Sequence, residues 1–142
     1  MGCFAKLALG RRIFSTDGQC FLLTNLAEEQ GRGALPYILD ALTSDWSIVR
    51  ACAARLLGQL GSEPEAVDAL IMAMADSDLS VRRNAVESLS LMDPVPVSAT
   101  PALLEALVDE DLLVREVALL VLQNIQHAIV AEVDEPSGRD VA

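Results

Sequence analysis

Residues 73–92 read AMADSDLSVRRNAVESLSLM, and residues 106–125 read ALVDEDLLVREVALLVLQNI. Residues 41–60, ALTSDWSIVRACAARLLGQL, are a looser copy of the same phrase. Set one above another, the three stretches place Arg50, Arg82 and Arg115 in one column, each after a valine (Val49, Val81, Val114). Upstream stand Ala41-Leu42, Ala73-Met74 and Ala106-Leu107, and downstream the columns are Ala53, Ala85, Ala118, then Leu57, Leu89, Leu122, then Leu60, Met92, Ile125. Apolar offsets of three, four and seven mark one face of an α-helix. Before each phrase, Ile38, Leu70, Leu103 and Leu39, Ile71, Leu104 repeat in step, which predicts a second, shorter amphipathic helix. Each unit is therefore a short helix, a polar turn and a longer helix.

The punctuation divides the chain at the same places. Gly61 suits a helix C-terminus, and Ser62-Glu63-Pro64-Glu65 offers a capping box with proline in the first turn. Asp93-Pro94-Val95-Pro96-Val97 cannot continue a helix, whereas Thr100-Pro101 offers an N-cap and first-turn pair. The last long helix is expected from about Leu112 to near Ile129. A two-helix unit cannot bury its own apolar face, so the units must stack. The predicted fold is all-α, an α-solenoid of three repeats at about 34–61, 62–93 and 98–129, within a repeat region spanning 34–131. Residues 1–33 are less regular. Phe21, Leu22, Leu23 and Leu26 before Gly31 and Gly33 predict one more long helix, either a cap or a degenerate repeat. Residues 132–142, with Pro136 and Gly138, are expected to form a disordered acidic tail.

The pattern Ala-Leu, Asp, then Val-Arg, Ala and Leu resembles the short HEAT-like repeats associated with phycobilisome lyases, over about residues 34–129. In that family the turn aspartate and the helix arginine form a hydrogen-bonded ladder between repeats. The resemblance gives that role to Asp76, Asp109, Arg50, Arg82 and Arg115, while Ser44 occupies the aspartate position of the first repeat. Tetratricopeptide repeats have a similar period, but their Trp, Tyr and late Pro positions are absent.

Charge narrows the function. The net charge is −11 in 142 residues, and residues 34–142 carry six basic against eighteen acidic side chains. Nucleic-acid binders need clustered Lys and Arg, so duplex DNA and RNA are disfavoured as partners. Either a protein partner with a basic surface is electrostatically favoured, or the acidity only keeps an aliphatic-rich protein soluble. Cys3, Cys20 and Cys52 have no metal-ligand spacing and read as reduced thiols of a cytoplasmic protein. No run of about 18 uninterrupted apolar residues exists, so no membrane association is expected. Met1-Gly2-Cys3 departs from the myristoylation pattern at Lys6.

Catalytic chemistry finds little footing. His127 is the sole histidine, which removes most metal and general-base schemes, and no nucleophile triad or phosphate-binding loop is present. No catalytic residue, cofactor site or metal site is assigned. The Asp109-Glu110-Asp111 run reads as a solvated repeat turn rather than a calcium site. Arg11-Arg12 and Arg82-Arg83 read as solvated basic pairs.

The residues left over suggest an interface. Trp46 stands in the turn where the other repeats have Asp78 and Asp111, so it either anchors a partner or packs beneath the preceding segment. In the third repeat, Leu120 replaces Arg55 and Glu87, Leu119 matches Ala54 and Val86, and Leu113 matches Ile48 and Ser80. That helix is apolar nearly all round, so something must cover it. Three covers are available: a second copy in a homodimer through the C-terminal repeat, a different protein, or residues 128–133 folding back. The favoured reading is a non-enzymatic adaptor or scaffold for a protein partner. The resemblance implies an alternative, an accessory role in a bilin lyase-like, phycobilisome-related activity, and a third reading is a fragment of a longer solenoid.

Overall fold

The structure is a computed structural model that describes residues 15–134. Cys3, the Met1-Gly2-Cys3 start, the Arg11-Arg12 pair and positions 135–142 of the expected tail lie outside the described residues. Among the described residues seven α-helices follow one another: α1 (Thr16–Gln30), α2 (Leu35–Ala41), α3 (Ser47–Leu60), α4 (Pro64–Ala73), α5 (Leu79–Ser90), α6 (Thr100–Ala106) and α7 (Leu112–Asp134). Short 3-10 turns at Gly31–Ala34 and Val97–Ala99 lead into α2 and α6. The long helices α1, α3, α5 and α7 stack in one layer, with α2, α4 and α6 in a second, and the α3–α5 contact is the most extensive. This is an α-solenoid.

The helix limits follow from local chemistry. Ser15 caps α1 by accepting from the Gly18 N–H at 3.3 Å. Gly61 ends α3 at φ 98°, a conformation an L side chain rarely adopts. Two starts differ from expectation. Helix α4 begins at Pro64 with Glu63 as its uncapped N-cap, so Ser62 forms no capping box. Thr100 is already helical because the 3-10 turn before it runs straight into α6, and its hydroxyl donates to the Val97 carbonyl at 2.7 Å.

The core is aliphatic, and Ile38, Leu57, Leu70, Leu89 and Leu103 fill it at the predicted offsets with 0% exposure, while in α7 the fully buried residue is Val121 and the predicted Leu122 is half-buried. One crossing is unusually close. A methyl group on Gly58 would lie 2.6 Å from Ser88 Oγ and 2.9 Å from Ser88 Cα, so α3 and α5 meet almost backbone to backbone. Two side-chain donors fasten that contact: Ser88 Oγ to the Ala54 carbonyl at 2.8 Å, and Asn84 Nδ2 to the Ala51 carbonyl at 3.1 Å.

Helix α7 departs most from the sequence reading. It continues to Asp134, past the expected stop near Ile129 and into the segment assigned to the tail. No glycine or proline interrupts residues 112–134, so nothing local stops it. Residues 128–133 are part of this continuous helix and do not fold back over it. By length and composition alone α7 could cross a membrane, with a mean hydropathy of 1.3 over its most apolar window. Here it carries Arg115 and Glu116 and buries Val114, Ala118, Val121 and Ile125 in the stack, as a repeat helix does.

Candidate protein-interaction surface

The turns and arginines interlock across repeats. Arg50 donates from Nε and Nη2 to the two carboxylate oxygens of Asp76, at 2.8 and 2.9 Å, and from Nη1 to the Ser44 carbonyl at 2.9 Å. One repeat on, Arg82 donates to Asp109 at 2.9 and 3.4 Å, to Glu110 at 2.9 Å, and to the carbonyls of Asp76 and Ser77 at 3.0 and 3.3 Å. Each aspartate also accepts a backbone N–H two residues on: Asp78 N to Asp76 at 2.9 Å and Asp111 N to Asp109 at 2.8 Å. A single carboxylate thus shapes its own turn and receives the preceding repeat's guanidinium, a geometry that the planar fork of arginine suits and lysine does not.

The two ends of this ladder differ. Ser44 keeps only the local half of the task, accepting the Trp46 N–H at 3.3 Å. Helix α1 contains no arginine, so a carboxylate at position 44 would have no guanidinium to meet from it. At the other end Arg115 donates from Nη1 to the Asp109 and Glu110 carbonyls at 2.7 and 3.0 Å, as Arg82 does to its own turn. Its Nε and Nη2 have no partner among the described residues.

Two readings of the charged residues are corrected. Of the Arg82-Arg83 pair, Arg82 is buried rather than solvated, and Arg83, though exposed, is paired: its Nε donates to Asp111 at 3.0 Å, forming a second rung beside the first. The Asp109-Glu110-Asp111 turn is not free either, since each of its carboxylates is paired with Arg82 or Arg83. The available signal was the second arginine in the repeat that precedes the DED turn, but a distance across repeats had to be known to use it. The Arg83 hydrogen bonds hold the Asp111 carboxyl down at about 2, and Arg50, against the effect of burial, keeps Asp76 below the ordinary carboxylate range.

These shifts set a pH dependence. Carboxylates more acidic in the fold than in the unfolded chain give stability that is complete above about pH 4 and lost as the pH falls toward about 2. Thermal midpoints measured across that window should decline, and Arg83→Gln should flatten the decline by removing the Asp111 contribution. Parallel profiles for the two proteins would refute the second rung.

The thiols Cys20 and Cys52 face one another between α1 and α3, Cys52 Sγ lying 3.9 Å from the Cys20 carbonyl. Burial, and then the neighbouring Cys52, push the Cys20 thiol up to about 12.

The residues singled out as an interface are all exposed: Trp46 by 58%, Leu113 by 36%, Leu119 by 49% and Leu120 by 51%. No described segment packs over the Trp46 ring enough to bury it. Trp46 stands at the start of α3, which α5 separates from α7, so it and the three leucines do not form one patch. Leu119 is the most informative. Its register equivalents Ala54 and Val86 are fully buried against the following repeat. Sequence reasoning missed Leu104, 55% exposed on α6, whose equivalent Leu39 lines the groove between α2 and α4. Lower on α7, Leu122, Ile125, Ile129 and Val130 line a shallow apolar groove of ≈ 440 Å³ with Val97.

Stacked helical hairpins pinned by an arginine–aspartate ladder define a helical-repeat protein of the α-solenoid class. The chain belongs to the HEAT-repeat family: the family model for HEAT repeats matches residues 14–90, beginning before the expected first repeat at about residue 34. HEAT repeats generally mediate protein–protein interaction. Among solved structures, the crystal structure of an engineered protein, a structural-genomics target, is similar with a TM-score of 0.57 and 26% identity, over 94% of this chain and 68% of that one. No curated protein matches the chain. The match is to HEAT repeats in general, and the phycobilisome-lyase likeness rests on the sequence pattern alone.

Proposed function

We propose that this protein is a non-enzymatic, cytoplasmic adaptor or scaffold that holds a protein partner against the C-terminal end of its repeat stack. The observation that carries the reading is the exposure of Leu119 and Leu120 on α7, at positions that are buried or charged in the earlier repeats. Exposed aliphatic surface of this kind is more typical of interfaces than of a solvated helix. The excess of acidic side chains favours a partner whose wider surface is basic. A photo-crosslinking residue placed at position 120 should give a discrete adduct in extracts of the source cells, whereas the same residue at position 87, the polar equivalent on α5, should not. Leu120→Glu should weaken capture of that partner about tenfold, a loss of about 1.4 kcal/mol, with little change in thermal midpoint. Equal labelling from the two positions, or none, would sink the proposal.

A further inference from the structure

Resting on that reading, we infer that the open face of α7 is built to receive a further helical hairpin whose turn carries Asp-x-Lys or Asp-x-Arg. The α3–α5 junction has a single rung, Arg50 on Asp76 with Ala51 next in line, and the α5–α7 junction adds a second. In the α5–α7 junction two adjacent arginines address two positions of the next turn: Arg82 takes Asp109, and Arg83 takes Asp111, two residues later. The equivalents of Arg82 and Arg83 on α7 are Arg115 and Glu116. Arg115 is half-buried, with Nη1 already tied to its own turn and the rest of its fork unfilled, so it calls for a carboxylate at the first position. Glu116 is exposed with no partner among the described residues and reverses the sign of Arg83, so it calls for a base at the third.

The apolar half of the junction is open as well. Ser88 Oγ reaches the Ala54 carbonyl, which puts Ala54, and by register Val86 and Leu119, on the side that meets the next repeat. Ala54 and Val86 are fully buried, whereas Leu119 is 49% exposed, and on the short-helix layer Leu104 is 55% exposed. The end of the solenoid therefore offers a cation, an anion and two aliphatic side chains in the arrangement that accepts a repeat. A second copy does not supply the match, because the three turns of this chain read Ser-Asp-Trp, Asp-Ser-Asp and Asp-Glu-Asp. The demand for one aspartate beside one base also fits a partner that is basic overall.

The test uses a phage-displayed library of two-helix hairpins, built on residues 98–129 with positions 109–111 randomised, panned against the full-length protein. Recovered turns should carry Asp or Glu first and Lys or Arg third. Leu119→Glu should reduce their binding about tenfold or more. Glu116→Arg, an exposed substitution that should fold normally, should switch the third position from basic to acidic. Hairpins recovered without that charge pattern, or indifferent to Leu119→Glu, would overturn the assignment, and loss of their binding on Trp46→Ala instead would leave the scaffold reading intact with its site elsewhere. A concentration-dependent dimer of the wild type, abolished by Leu119→Glu in light scattering, would put a second copy on this end and also overturn it.

Discussion

Gly58→Val should lower the unfolding free energy by about 3 kcal/mol or more, at the upper end of what overpacking costs. In a solvent-facing helix, replacing glycine with alanine stabilises by about 1 kcal/mol, because alanine is the better helix former. At position 58 the sign should reverse. The added methyl would sit 2.6 Å from Ser88 Oγ and 2.9 Å from Ser88 Cα, and backbone cannot swing aside as a side-chain tip can. Helices α3 and α5 would have to separate, stretching the Ser88–Ala54 and Asn84–Ala51 hydrogen bonds at the same time. Gly58→Ala should cost about 2 kcal/mol, and valine more, since its branched side chain is also confined in a helix. Ser88→Gly in the Gly58→Ala background should return part of that loss, a coupling of about 1 kcal/mol by urea denaturation. A stabilised Gly58→Ala protein would mean that α3 and α5 are not in close contact.

Arg82→Ala is the second large effect, expected at about 2–4 kcal/mol, or roughly 10 °C in thermal midpoint. The side chain is among the few buried charged groups, at 8% exposure, and it joins Asp109, Glu110 and two backbone carbonyls. Its removal leaves the largely covered Asp109 carboxylate without its counter-charge, and that is costlier than losing the hydrogen bonds alone. Arg82→Lys should recover less than half, because one ammonium cannot fill a fork and reach the turn carbonyls together. Arg115→Ala should cost only about 1 kcal/mol, since no described carboxylate is stranded there. Equal losses at positions 82 and 115 would show that the ladder stabilises through its turn contacts rather than through the bridge between repeats.

Much of the architecture is readable in the chain itself. The three-fold recurrence of alanine, valine, arginine and leucine sets the number of hairpins and the inward face of each helix, because helical periodicity is a property of neighbouring residues. Gly61, Pro64 and Pro101 mark boundaries for the same local reason, and errors in those boundaries stayed within a turn. Helix α7 outran its expected end because only a positive stop signal is visible in a sequence, and residues 126–134 contain none.

The sequence by itself determined that this protein is a stack of helical hairpins with a column of arginines, an acidic surface and an over-apolar last helix. Only the tertiary structure decided what those residues do to one another. It took the packed coordinates to bring Gly58 onto Ser88, to pair Arg83 with Asp111, and to distinguish the filled forks of Arg50 and Arg82 from the open one of Arg115. It also separated Trp46 from the leucines of α7 that shared its suggested role. The physical reason is that hydrogen bonds and close contacts between repeats depend on how far apart two stacked helices lie, and that distance belongs to no single stretch of sequence.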